Sequence, residues 1–150
     1  MATVRLSFSP HPARVRTARL LGVALGRRCG LPEEIVDEVR LAVGEACSRA
    51  VAVHAKLGSS GHVQVQFTDD EHRFEARVED EGDPAAVHEP DHGPADGAVT
   101  GDPAAVGAGD GGELALPSGL GLSIAAGLVD DFEVRPVATG GTVVVLAWKR

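Results

Sequence analysis

Hydrophobic positions along this chain recur with two different periods, and the changes of period divide it into elements. From Thr3 to Ser9 the pattern alternates, with Val4, Leu6 and Phe8 on one side, which predicts a half-buried first strand. Pro10 and Pro12 end that strand and start a helix. Between Ala13 and Arg28, Val15, Ala18, Leu21 and Leu25 fall at helical spacing, with arginines on the remaining faces. Gly22 and Gly26 are each expected to weaken that helix by roughly 1 kcal/mol relative to Ala. Gly30 closes it, Pro32 with Glu33 and Glu34 opens the next, and Ile35, Val39, Ala42, Ala46, Ala50 and Val53 then lie on one stripe.

The period returns to two after the loop Leu57-Gly58-Ser59-Ser60-Gly61. Val63, Val65 and Phe67 alternate, Asp69 and Asp70 turn, and Phe74, Ala76 and Val78 alternate again, an antiparallel hairpin running into a turn at Asp80. Residues 85–117 are mostly Ala, Gly, Pro, Asp, Glu and His, with too little hydrophobic mass to offset the entropy of ordering, so an acidic, mobile lid or a disordered insertion is expected there. Beyond it Gly119 to Val129 predicts a short helix entered through glycines. Strands follow at Phe132 to Val137 and Thr142 to Trp148, joined at Thr139-Gly140-Gly141. The order β-α-α-β-β-lid-α-β-β predicts a two-layer α/β sandwich, a mixed or antiparallel sheet covered on one face by three helices. The other face is left to solvent or a partner, which permits a homodimer.

Size and charge narrow the range of functions. A chain of 150 residues with 43% hydrophobic content is the size of one domain, residues 1–150. Its net charge of −8 and pI near 5.1 argue against direct nucleic-acid binding. The charge is uneven: Arg14, Arg16, Arg19, Arg27 and Arg28 crowd an early segment, whereas no Lys or Arg occurs between Arg77 and Arg135. Cys29 and Cys47 lack metal-like spacing, the start MATVRLSFS lacks a secretion leader, and no apolar run approaches the ~18 residues of a membrane helix. A cytoplasmic protein away from membranes is expected.

Three short boxes carry the candidate chemistry. On the second helix Glu45 lies off the apolar stripe, with Arg49 one turn later on the same side. Glu45 can serve as a general base toward a hydroxyl or water attacking a phosphoryl group, or the two residues can form a plain i,i+4 pair worth ~0.2–0.5 kcal/mol. Asp80 ends a strand just before Gly82, where a carboxylate can accept a hydrogen bond from an amine such as adenine N6 while glycine lets a flat ring approach. The plain alternative is an Asp-x-Gly turn. Ser118-Gly119-Leu120-Gly121-Leu122 opens a helix, so its free backbone N–H groups can face phosphate, or it is a flexible hinge and helix start. Neither a Walker A loop nor a Rossmann start is present.

With these boxes in this order the chain resembles the GHKL (Bergerat-fold) ATPases, and within them the bacterial anti-sigma factors of the RsbW and SpoIIAB type. The likeness runs through Ala13-Arg14-Val15, Val43-Gly44-Glu45-Ala46-Cys47-Ser48, Val78-Glu79-Asp80-Glu81-Gly82, Gly119-Leu120-Gly121-Leu122, Leu128-Val129-Asp130 and Gly141-Thr142-Val143. It implies ATP and Mg2+ as cofactors, Glu45 as catalytic base and Asp80 as the adenine-recognising residue. Gly82, Gly119, Leu120, Gly121 and Leu122 would be nucleotide-binding, and Thr142 would support the adenine pocket. It implies a sigma factor and an anti-anti-sigma factor as partners, with Arg14 on the partner-contacting surface, and phosphorylation of a serine on the antagonist so that partners are exchanged.

One position departs from the family pattern. Where the family has a magnesium-binding asparagine, four residues after the glutamate, this chain has Arg49. Arginine has no acceptor for a cation. It would instead neutralise phosphates directly or hold Glu45 in an unreactive pair. Arg49 and the acidic lid together motivate the alternative of a pseudo-kinase that sequesters its partner without turning over nucleotide.

Overall fold

The computed structural model describes residues 1–83 and 120–150. The lid expected over residues 85–117 lies outside the described residues, as do Ser118 and Gly119. Eight elements follow in chain order: β1 (Ala2–Phe8), α1 (Pro12–Arg28), α2 (Glu33–Leu57), β2 (Val63–Asp69), β3 (Arg73–Asp80), α3 (Leu120–Leu128), β4 (Asp131–Pro136) and β5 (Thr142–Lys149). The strands form one sheet in the order β1-β2-β3-β5-β4. Every neighbouring pair is antiparallel, which resolves the choice between mixed and antiparallel pairing.

Alternation dictates which side chains of the sheet meet the helices. Val63, Val65 and Phe67 of β2, Phe74, Ala76 and Val78 of β3, and Val144, Leu146 and Trp148 of β5 are all buried. Phe67 stacks on Phe74 with ring centroids 6.1 Å apart, and Phe74 lies 6.1 Å from Trp148. The indole N–H of Trp148 donates to the carbonyl of Leu128, which fixes the end of α3 over the sheet.

α2 is the central helix, packed against α1 on one side, α3 on the other and the sheet below. That environment explains why its buried face is wider than the six-residue stripe expected from spacing. Val36, Val43, Cys47, Val51 and His54 are buried as well, whereas Ile35 and Val53 are half-buried. Glu33 and Glu34 occupy its first turn, and Gly58, at φ +62°, caps its end with a left-handed residue.

The glycines of α1 have a packing role that propensity alone does not show. A Cβ on Gly22 would stand 3.1 Å from Phe67 and 3.4 Å from Val39, so α1 packs closely on both the sheet and α2 at this residue. Gly26 faces Leu31 and Val36, where a Cβ would meet them at ordinary contact distances of 3.4 and 3.6 Å. The helix-propensity cost is offset by the close approach it permits.

The second face of the sheet is polar but not bare. Glu75 is buried there between Arg73 and Arg77, both of which form ion pairs with it. Val145 and Ala147 of β5 are buried on the same face, consistent with long arginine stems covering apolar surface while their charged heads reach water. Among the described residues no helix is long and apolar enough to cross a membrane.

Burial of Cys47 leaves a measurable signature. Desolvation pushes its thiol from 9.0 up to about 12, opposed in part by the charge of Arg19. The folded state therefore holds this proton more tightly than the unfolded chain, so the associated stability is full below pH 9 and is lost as pH rises toward 12. Urea unfolding followed by Trp148 fluorescence should show stability falling across that window, and falling less in Cys47→Ala. An equal fall in both proteins would mean that Cys47 does not carry it.

Candidate functional site

Helix α2, the end of β3, the start of α3 and the start of β5 meet in one place. The β3–β5 register pairs Asp80 with Thr142, so both point to the helical side at the same end of the sheet. Asp80 has no exposed side-chain surface. Its Oδ1 accepts the backbone N–H of Gly82 at 2.7 Å, the turn expected of an Asp-x-Gly sequence. Thr142 is fully buried and donates its hydroxyl to the Gly82 carbonyl at 2.7 Å. The threonine thus supports the box through Gly82, while Asp80 supplies the acceptor.

Arg49 occupies a place that helical spacing did not predict. Its guanidinium reaches across to β3 and donates to Asp80 Oδ2 at 2.7 Å, rather than pairing one turn back with Glu45. The expectation of a Glu45–Arg49 pair is corrected for a physical reason. A buried carboxylate without a counter-charge costs several kcal/mol, far more than the few tenths available from a solvated i,i+4 pair. Arg49 is the cation within reach, and its side chain is 16% exposed.

Glu45 is half-buried and lies at the other end of the cluster. A Cβ on Gly121 would collide with its Oε2, so the carboxylate rests against the backbone of the first turn of α3. Leu122 packs partly buried against the core. Leu120 begins the helix, and Gly119 lies outside the described residues. Arg14 is exposed near the start of α1, and among the described residues no hydrogen bond joins its side chain to this cluster.

Three residues have supporting roles that the sequence reading did not assign to them. His54 is fully buried, and its Nε2 accepts the backbone N–H of Glu81 at 3.1 Å, which anchors the Asp80-Glu81-Gly82 turn to the end of α2. That bond places the ring proton on Nδ1, a buried atom with no partner among the described residues. Spacing offered a signal, since His54 follows Ala50 by four residues on the apolar stripe. Val53 fills the space beside Gly82, where a Cβ would strike its Cγ1, and Gly141 packs directly on the Asp80 carbonyl. Both are close approaches between distant segments, invisible to local pattern.

This arrangement suits a nucleotide. Gly82, Gly121 and Gly141 let Val53, Glu45 and the Asp80 carbonyl pack directly on backbone, which draws the site's segments together, and Asp80 is a buried acceptor of the kind an exocyclic amine requires. It does not suit a protein-held magnesium ion as the family pattern would have it. Among the described residues no three His, Cys, Asp or Glu cluster to hold a metal, and Arg49 is a donor bonded to Asp80.

Known proteins resemble this chain in sequence and in fold. The sequence profile of the histidine kinase-like ATPase domain matches residues 8–148. The serine-protein kinase RsbW of Bacillus pumilus is 31% identical over 147 residues, covering 95% of this chain and 83% of that protein. RsbW of Bacillus licheniformis is 30% identical over 90 residues, 60% of this chain, and RsbW of Bacillus subtilis 31% over 80, 53% of it. These two alignments span about half the length of the relatives, 56% and 50%. A crystal structure of the RsbU and RsbW domains of a Mycobacterium tuberculosis protein has the same fold, with a TM-score of 0.64 at 17% identity over 100% of this chain and 33% of that one. The sheet, the three helices and the matched profile together establish that this chain belongs to the histidine kinase-like (GHKL) ATPase domain family, among relatives of RsbW.

Proposed function

We propose that the protein binds ATP at this site and acts in the cytoplasm as an anti-sigma regulatory factor by partner switching. It holds a sigma factor inactive, releases it to engage an anti-anti-sigma antagonist, and phosphorylates a serine on that antagonist. The observation that carries this reading is the meeting of Asp80, Gly82 and Thr142 with Glu45 and Gly121, in a chain 31% identical over 147 residues to a serine-protein kinase.

Each residue then has a definite task. Asp80 accepts a hydrogen bond from the adenine amine, and Thr142 holds the Gly82 turn that follows it in place. Gly121 and the first turn of α3 lie against the phosphates. Bound ATP supplies the phosphoryl group. Glu45 takes the proton of the attacking serine hydroxyl. Arg14 contributes a positive charge to the partner surface of α1, and the polar sheet face serves a homodimer. No step is routed through Mg2+, because Arg49 stands where its ligand oxygen is required.

A second reading, a pseudo-kinase that sequesters its partner, is favoured by the Arg49–Asp80 ion pair. Labelled ATP incubated with the protein and its antagonist separates the two. The kinase reading expects phosphoserine on the antagonist, lost in Glu45→Ala. It also expects Asp80→Asn to weaken ATP binding by about tenfold, the equivalent of ~1.4 kcal/mol. ATP binding without any transfer selects the pseudo-kinase, and no nucleotide binding in the wild type sinks both.

A further inference from the structure

Both oxygens of Asp80 already carry a hydrogen bond: Oδ1 takes the N–H of Gly82 and Oδ2 takes the Arg49 guanidinium, each at 2.7 Å. The first bond belongs to the turn itself. The second comes from a long, flexible side chain on another element and is the one that an incoming amine can replace. Replacing it is unfavourable in isolation, because a neutral amine exchanges for a charged donor, and charge-assisted hydrogen bonds are roughly twice as strong as neutral ones. The displaced guanidinium also needs a new anion. Arg49 lies one helical turn from Glu45, about 5–6 Å between Cβ atoms, and Glu45 rests against the first turn of α3 at Gly121. A phosphate chain arriving there meets the negative charge of Glu45 and requires a cation of its own.

Resting on the nucleotide-binding reading above, we propose that Arg49 is a specificity-determining residue that makes recognition of the base at Asp80 conditional on a phosphate chain. The guanidinium exchanges Asp80 for phosphate, so a base and its phosphates bind together or not at all. The site therefore selects nucleoside polyphosphates and rejects the free nucleoside. Arg49 does this through the geometry of a planar fork, which suits carboxylate and phosphate equally.

Calorimetric titration of the full chain with adenosine and with ATP, both in EDTA, tests this in the wild type, Arg49→Ala and Arg49→Gln. Without the guanidinium, adenosine binds more tightly and ATP more weakly, so the ratio of their dissociation constants falls by about tenfold or more in both variants. Should Arg49→Ala not fold, Arg49→Gln decides, because its amide reaches toward Asp80 without charge. A ratio unchanged within about twofold overturns the proposal. Asp80→Asn separates the two levels. If ATP binding to the wild type depends on Asp80 while the ratio stays constant, the exchange alone is wrong. If ATP does not bind, or binds equally to Asp80→Asn, the nucleotide reading falls and the proposal with it.

Discussion

A single buried carboxylate constrains how this end of the molecule is built. Asp80 terminates β3 with no side-chain exposure, and an ion so placed is tolerable only with a counter-charge and satisfied oxygens. Arg49 supplies the charge and Gly82 the backbone hydrogen bond, so α2, the end of β3 and the following turn are tied at one point. Thr142 extends the tie to β5 and His54 extends it back to α2. The polar cluster thus closes one end of the β3–β5 pair, where Asp80 faces Thr142, while the aromatic contacts of Phe74 and Trp148 hold the opposite end.

The fold was readable from spacing because periods of two and 3.6 are local. Val63, Val65 and Phe67 alternate whatever the rest of the chain does, and α2 shows its stripe without knowledge of its neighbours. Strand order and sheet polarity are not local, so whether the sheet was mixed or antiparallel stayed open. The width of the buried face of α2 was missed for the same reason, since the helix packs on α1, α3 and the sheet together. At Gly22 propensity pointed to weakness, where close packing against Phe67 disfavours a side chain.

The site was legible in its residues and misread in one of its bonds. Glu45, Asp80, Gly82, Gly121 and Thr142 stand out as sequence features, and the fold brings them to one region. Helical geometry suggested Glu45 as the partner of Arg49, but desolvation at Asp80 outweighs proximity along the helix. Burial of a particular carboxylate depends on tertiary packing, which no spacing rule contains. This bond bears on the proposed chemistry as well, because an arginine committed to Asp80 leaves Glu45 without that cation and occupies the oxygen proposed to take the base.

A double-mutant cycle on stability addresses that bond most directly. Urea unfolding of Arg49→Ala, Asp80→Asn and the double variant, followed by Trp148 fluorescence, should show strong coupling, because stranding one member of a buried pair costs about 3–5 kcal/mol whereas removing both costs much less than the sum. The parallel cycle with Glu45→Gln should give no more than the ~0.5 kcal/mol of a solvated helix pair. Coupling below about 0.5 kcal/mol between Arg49 and Asp80, with the larger value at Glu45, would contradict the arrangement on which the site is built.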